Sequence, residues 1–229
     1  MEQIRKFSDT RLDCSCIHCG GSTETRDHVP SKILLDAPYP DNIPVVPSCS
    51  ECNNRFSLDE EYAACLIECN ISGSTNPVKI KREKIKQILI EKPKLAARIS
   101  KRKEKGGTLY IPEEKRIRNF VLKLARGHVA FENSQIQLEK PVYIWFKPLQ
   151  QMSNHEVALF TRTPKLKIFP EVGSRAFQRI LIRNTLQGIP QELITPDWLI
   201  VQQGRYRYSV TGSLVRIVLS EYLACAVSW

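Results

Sequence analysis

The sequence has no apolar run long enough to cross a bilayer, so no membrane-spanning helix is expected in its 229 residues. Its first residues, MEQIRKFSDTR, are charged and lack the apolar core of a secretory signal. No segment repeats another. Acidic residues are in short supply, 24 Asp and Glu against 34 Lys and Arg, which leaves a formal charge of +10. With 42% hydrophobic residues, the composition predicts a soluble globular chain that buries a core as one domain or as two small ones. Four of the eight cysteines stand in metal-type spacing, which argues against a disulfide scaffold. A reducing, cytoplasmic compartment is the expectation.

What is present is concentrated between Cys16 and Phe56. Two Cys-x-x-Cys pairs, Cys16/Cys19 and Cys49/Cys52, bracket the dipeptide Asp27-His28, and Asn53-Asn54 follows the second pair directly. Each pair can present two thiolates in the narrow geometry of tetrahedral zinc, and four sulfurs close the site to water. A structural zinc on Cys16, Cys19, Cys49 and Cys52 is therefore expected. Cys14 is near enough to compete with Cys16, while His18 reads as a loop residue of the first knuckle. The 29 residues from Gly20 to Ser48 exceed a short zinc-ribbon spacer, so something further is built inside the clip.

The chemistry of that insert can be argued from residue types. Phosphodiester hydrolysis needs a deprotonated water and positive charge at the leaving oxygen. A neutral His is a suitable base near pH 7. A carboxylate beside it and an amide oxygen nearby are hard ligands of the kind that suit Mg²⁺ or Mn²⁺. Taken alone, Asp-His is an ordinary surface pair, and Pro-Asp-Asn at Asn42 is ordinary turn chemistry.

The order Cys-x-x-Cys, Asp27-His28-x-Pro, Asn42, Cys-x-x-Cys-Asn53 resembles the zinc-clipped branch of the HNH, or ββα-metal, endonucleases. In that family two short strands and a helix form a cleft around one divalent cation. The resemblance implies that His28 activates water, that Asn42 steadies the loop carrying it, and that Asp27 and Asn53 hold Mg²⁺ or Mn²⁺. Asn53 stands where a His is commoner, which leaves Asn54 and Ser57 open as ligands. The implied activity is hydrolysis of DNA, in restriction, phage defence or a mobile element. A different class stays in view: a non-catalytic zinc module that binds nucleic acid or a partner protein, with a homodimer as one form of partner.

Basic charge is unevenly placed. Between Lys79 and Lys105 there are twelve Lys or Arg and three Glu, so +9 falls in one segment. Most charge runs are solvated faces, but such a concentration is also the footprint of a polyanion, because neutralised phosphates release counterions. Lys101, Arg102, Lys103 and Lys105 are the candidate contacts to nucleic acid, double-stranded DNA above all, with Arg26 and Arg55 beside the knuckles.

The expected fold class is α+β. A zinc-clipped ββα-metal module covers 1–73, a basic helical segment covers 74–107, and a small antiparallel-sheet domain covers 108–229. Leu58 to Ile71 reads as a helix capped by Ser57, with Cys65 and Cys69 in its core face. The basic segment reads as two helices broken at Pro93. Thr108 to Ile111 reads as a short strand, and Ile117 to Leu124 as a helix stopping near Gly127. Val142 to Phe146 reads as a strand. Trp198 to Val201 and Tyr206 to Val210 read as a hairpin, followed by a strand from Leu214 that can continue through Leu223.

Overall fold

Two short strands open the described chain. β1 (Thr25–His28) pairs antiparallel with β2 (Val45–Ser48), Asp27 lying opposite Val46. This is the computed structural model of the protein, and it describes residues 13–41, 43–162, 170–180 and 198–229. Alternation along β1 sends Asp27 inward and leaves Arg26 exposed. Between the strands, Leu34, Leu35 and Ile43 drop into the main core.

Helix α1 (Ser50–Ser72) begins eight residues earlier than the apolar periodicity suggests. Cys49 caps it, its sulfur accepting from the Cys52 amide, so the second knuckle is itself the first helical turn. Ser57 is therefore no cap. It lies inside the helix, and its hydroxyl donates back to the Asn54 carbonyl at 2.7 Å. From Tyr62 to Cys69 every residue is buried, so the helix is covered on all sides there, and Cys65 and Cys69 belong to the core. Gly73 ends it in the left-handed conformation, φ 64°.

The basic segment folds as α2 (Glu83–Glu91) and α3 (Pro93–Ser100), broken at Pro93 as expected. Ile85, Leu89 and Ile99 turn inward while most of the cations face out. The expected strand at 108–111 reduces to a single bridge, Lys103 to Tyr110. Its backbone is satisfied otherwise: the Asn70 side chain accepts from the Tyr110 amide at 2.6 Å and donates to the Tyr110 carbonyl at 3.3 Å.

Helix α4 (Glu114–Asn133) runs through Gly127 instead of stopping there. A Cβ at Gly127 would sit 2.4 Å from Val29 Cγ2, so the glycine serves close approach of α4 to the end of β1. The helix ends at Ser134, which takes the left-handed conformation itself. This contact sets α4 beneath β1, which decides what lies under Asp27.

The C-terminal part is a five-stranded antiparallel sheet in the order β3-β7-β6-β5-β4. Its strands are β3 (Tyr143–Pro148), β4 (Leu199–Gln202), β5 (Tyr206–Thr211), β6 (Leu214–Leu219) and β7 (Leu223–Ser228). The run from Leu214 does not continue straight: Ser220 and Glu221 take positive φ and turn β6 into a separate β7. Helix α5 (Asn154–Thr161) starts in a Ser153–Glu156 capping box, and residues 175–180 are also helical. One apolar cluster joins Leu34 and Leu35 to α1, α2, α4 and the sheet. No described helix is long and apolar enough to cross a membrane.

Candidate functional site

The four knuckle cysteines come together. The sulfurs of Cys16, Cys19, Cys49 and Cys52 all lie within 4.8 Å of one another, and Cys19 and Cys49 are 3.8 Å apart. A tetrahedron with Zn–S bonds of about 2.3 Å has edges of about 3.8 Å, so the cluster fits a zinc ion. Gly20, at φ 78°, turns the first knuckle, and its amide donates to the Cys16 carbonyl at 2.8 Å. Burial pushes the Cys16 thiol up, but backbone amides of Cys49, His18 and Cys19 outweigh it and bring the group down to about 6. That favours one of the four thiolates a metal requires, while Cys52, chiefly by burial, and Cys19, by its bond to Cys16, are held up. Cys14 lies exposed outside the group.

Strand β1 leaves the clasp and delivers Asp27 and His28 in succession. Asp27 is 4% exposed and both of its oxygens are engaged. Oδ2 faces His18 Nε2 at 3.3 Å, and Oδ1 accepts from Lys123 Nζ at 2.9 Å. Lys123 arrives from α4 with no exposed side-chain surface. Its ammonium also donates to Ser31 Oγ at 3.2 Å and, by a short contact, to Glu60 Oε1. The Ser31 hydroxyl in turn donates to Glu60. Glu60 stands seven residues after Asn53 on α1, two helical turns along the same face.

The electrostatics follow from this packing. Burial would raise the Asp27 carboxyl, yet the His18 hydrogen bond and the Lys123 ammonium outweigh it and hold it below its ordinary value. Burial would lower Lys123, yet the Glu60 and Asp27 carboxylates outweigh that and hold it high. His18 is lowered, chiefly by burial. The pair Asp27–Lys123 is thus ionised across the neutral range while His18 is neutral.

His28 is half-buried at the end of β1. Burial first, and the nearby Lys32 ammonium second, keep its imidazole below the usual histidine value, so it is a neutral base at pH 7. Lys32 and Lys84 flank the Tyr39 ring at 5.9 and 5.7 Å. Asn53 faces β1 and donates to Thr25 Oγ1 at 3.4 Å, whereas Asn54 and Ser57 are exposed. Asn42 lies outside the described residues.

The nucleic-acid candidates are on the surface. Arg26, Arg55, Lys101, Lys103 and Lys105 are exposed, with Arg55 stacked over Phe56 at 5.2 Å. Arg102 is exposed as well but holds the chain together, donating to the carbonyls of Ile111 and Pro112.

Sequence reasoning missed Lys123, Glu60 and Ser31, and it treated His18 as a loop residue. Lys123 did leave a signal: it falls on the apolar stripe of α4 beside Phe120 and Leu124, where a solvated lysine does not belong. Comparison with protein-family models, curated proteins and solved structures found no match.

Proposed function

We propose that the chain is an endonuclease of the HNH type, hydrolysing DNA phosphodiester bonds with His28 as the general base. The observation that supports this most is the β1–β2–α1 order with the cysteine cluster at its root. It sets Asp27-His28 at the end of one strand and Asn53 in the first turns of the helix. A zinc on Cys16, Cys19, Cys49 and Cys52 would act structurally, fixing the strands against the helix. His28, neutral at pH 7, takes the proton from the attacking water. Lys32 adds positive charge beside it, and the exposed cations of 101–105 hold the polyanion.

The divalent ion that the resemblance implies does not fit the residues as they stand. Mg²⁺ or Mn²⁺ would take Asp27 and Asn53, but both Asp27 oxygens are engaged, one by an ammonium. The same engagement of Asp27 favours a second reading, a zinc-clipped nucleic-acid-binding module without chemistry.

Nicking of supercoiled plasmid decides between them, run with Mg²⁺, with Mn²⁺ and with chelator. His28→Ala should lose turnover by roughly 10²–10⁴-fold while DNA binding holds. Equal nicking by wild type and His28→Ala removes His28 as the base. DNA binding without nicking under any condition leaves the binding module.

A further inference from the structure

The buried ground around Asp27, next to His28, already contains a cation, and the chain supplies it. An ammonium has three N–H donors. Those of Lys123 meet three acceptors, Asp27, Ser31 and Glu60, so none is left over. Two carboxylates, those of Asp27 and Glu60, face this one ammonium. A divalent ion added beside Lys123 would stand a few ångströms from a second cation in a site with no exposed lysine surface. A divalent ion in place of Lys123 would instead meet two carboxylates and a hydroxyl, all hard oxygens, and neutralise them.

We propose that Lys123 is the resident cation of this buried site: its ammonium fills a seat formed by Asp27, Glu60 and Ser31, and an ion of the Mg²⁺ or Mn²⁺ class enters only where that ammonium has been removed. Whatever chemistry His28 performs, Asp27 is then not the ligand of a catalytic divalent metal. Its carboxylate serves to anchor α4 beneath β1. The seat is defined by the hydrogen bonds of Lys123, and only its name as part of an active site rests on the nuclease reading.

The test uses the full zinc-loaded chain and Mn²⁺ as probe, read by thermal unfolding and by the loss of the free-Mn²⁺ paramagnetic resonance signal. Wild type should bind no Mn²⁺ at Asp27 and should keep its Tm when Mn²⁺ is added. Lys123→Ala opens the seat and leaves two carboxylates uncompensated, so its Tm should fall by about 10 °C. Mn²⁺ should restore much of that loss and bind at one ion per chain. Lys123→Met loses the same charge but keeps the space filled, so Mn²⁺ should not restore it.

Stoichiometric Mn²⁺ on wild type, abolished by Asp27→Asn, would overturn the proposal, and that measurement decides even if Lys123→Ala does not fold. So would a folded Lys123→Ala whose Tm ignores Mn²⁺. Failure of plasmid nicking under every condition removes the nuclease reading and leaves these binding outcomes as they are.

Discussion

Lys123 and the lysines of 101–105 carry the same ammonium group into opposite surroundings. Lys101, Lys103 and Lys105 stand in solvent at the end of the basic segment, dense in sequence and free to meet a polyanion. Lys123 lies on the buried face of α4 between Phe120 and Leu124, has no exposed surface, and is held by two carboxylates from β1 and α1. The run from Lys79 to Lys105 holds most of the excess charge, and within it Arg82 is buried against Asp36 while Lys101, Lys103 and Lys105 have no carboxylate partner among the described residues. Lys123 is invisible in the net total, yet its ion pairs tie β1 and α1 to α4 beneath the candidate site.

The buried side of this comparison breaks first at the cysteine clasp. Cys16→Ser removes one of four sulfurs, and for a zinc module the metal's binding free energy is folding free energy. The variant should lose the zinc, and β1, which the clasp anchors, should lose its protection from amide exchange. Metal analysis that finds no zinc in well-folded wild type would show that the clasp holds no metal.

Lys123→Met comes next. Removing one partner of a buried ion pair costs about 3–5 kcal/mol, because the remaining carboxylates stay buried without compensation. Adding Asp27→Asn and Glu60→Gln should recover part of that loss. The pH dependence sharpens the contrast. Asp27 is held below its ordinary 3.8, so its contribution is complete above that value and is lost as pH falls through the folded value. Lys123 is held above 10.5, so its contribution is complete below that value and is lost as pH rises through the folded one. In Lys123→Met the acid limb should flatten, since protonation relieves the stranded carboxylates. Urea titrations at pH 3 and pH 7 distinguish the two: wild type should lose the Asp27 contribution toward pH 3, and the variant, relieved of its stranded carboxylates, should lose less. A variant as stable as wild type at pH 7 would show that the buried lysine holds nothing.

The clasp was legible in the sequence because its spacing is local, two residues within each pair. The break at Pro93 and the C-terminal hairpin were legible for the same reason, since proline stereochemistry and two-residue alternation act within a few positions. The ion set under Asp27 was not legible. Its partners lie 96 and 63 residues from Lys123, and only the docking of α4 under β1 joins them. Gly127 misled in the same way. Glycine near a helix end suggests a stop, but here it makes room for Val29, a residue that nothing local connects to it. The start of α1 was hidden because Cys49 and Cys52 read as a knuckle, and they are also the cap and first turn of the helix.

The smallest effect on stability is expected on the exposed side. Lys101, Lys103 and Lys105 have no carboxylate partner among the described residues, whereas Lys86, Lys92 and Arg98 in the same segment pair with Glu83, Glu61 and Glu113. Arg102 is left in place because it braces the carbonyls of Ile111 and Pro112. Replacing the three lysines with Gln should therefore change unfolding free energy by no more than about 0.5 kcal/mol. DNA affinity should behave otherwise. Each phosphate that goes unneutralised lowers the slope of log affinity against log salt by about 0.9, for every sequence alike, and leaves turnover at saturating DNA nearly unchanged. Filter binding of one duplex at several salt concentrations reads that slope directly. An unchanged slope in the triple variant would make this run a solvated face and move the search for the polyanion-binding surface to Lys32, whose charge acts on His28, and to Lys84, across the Tyr39 ring from it.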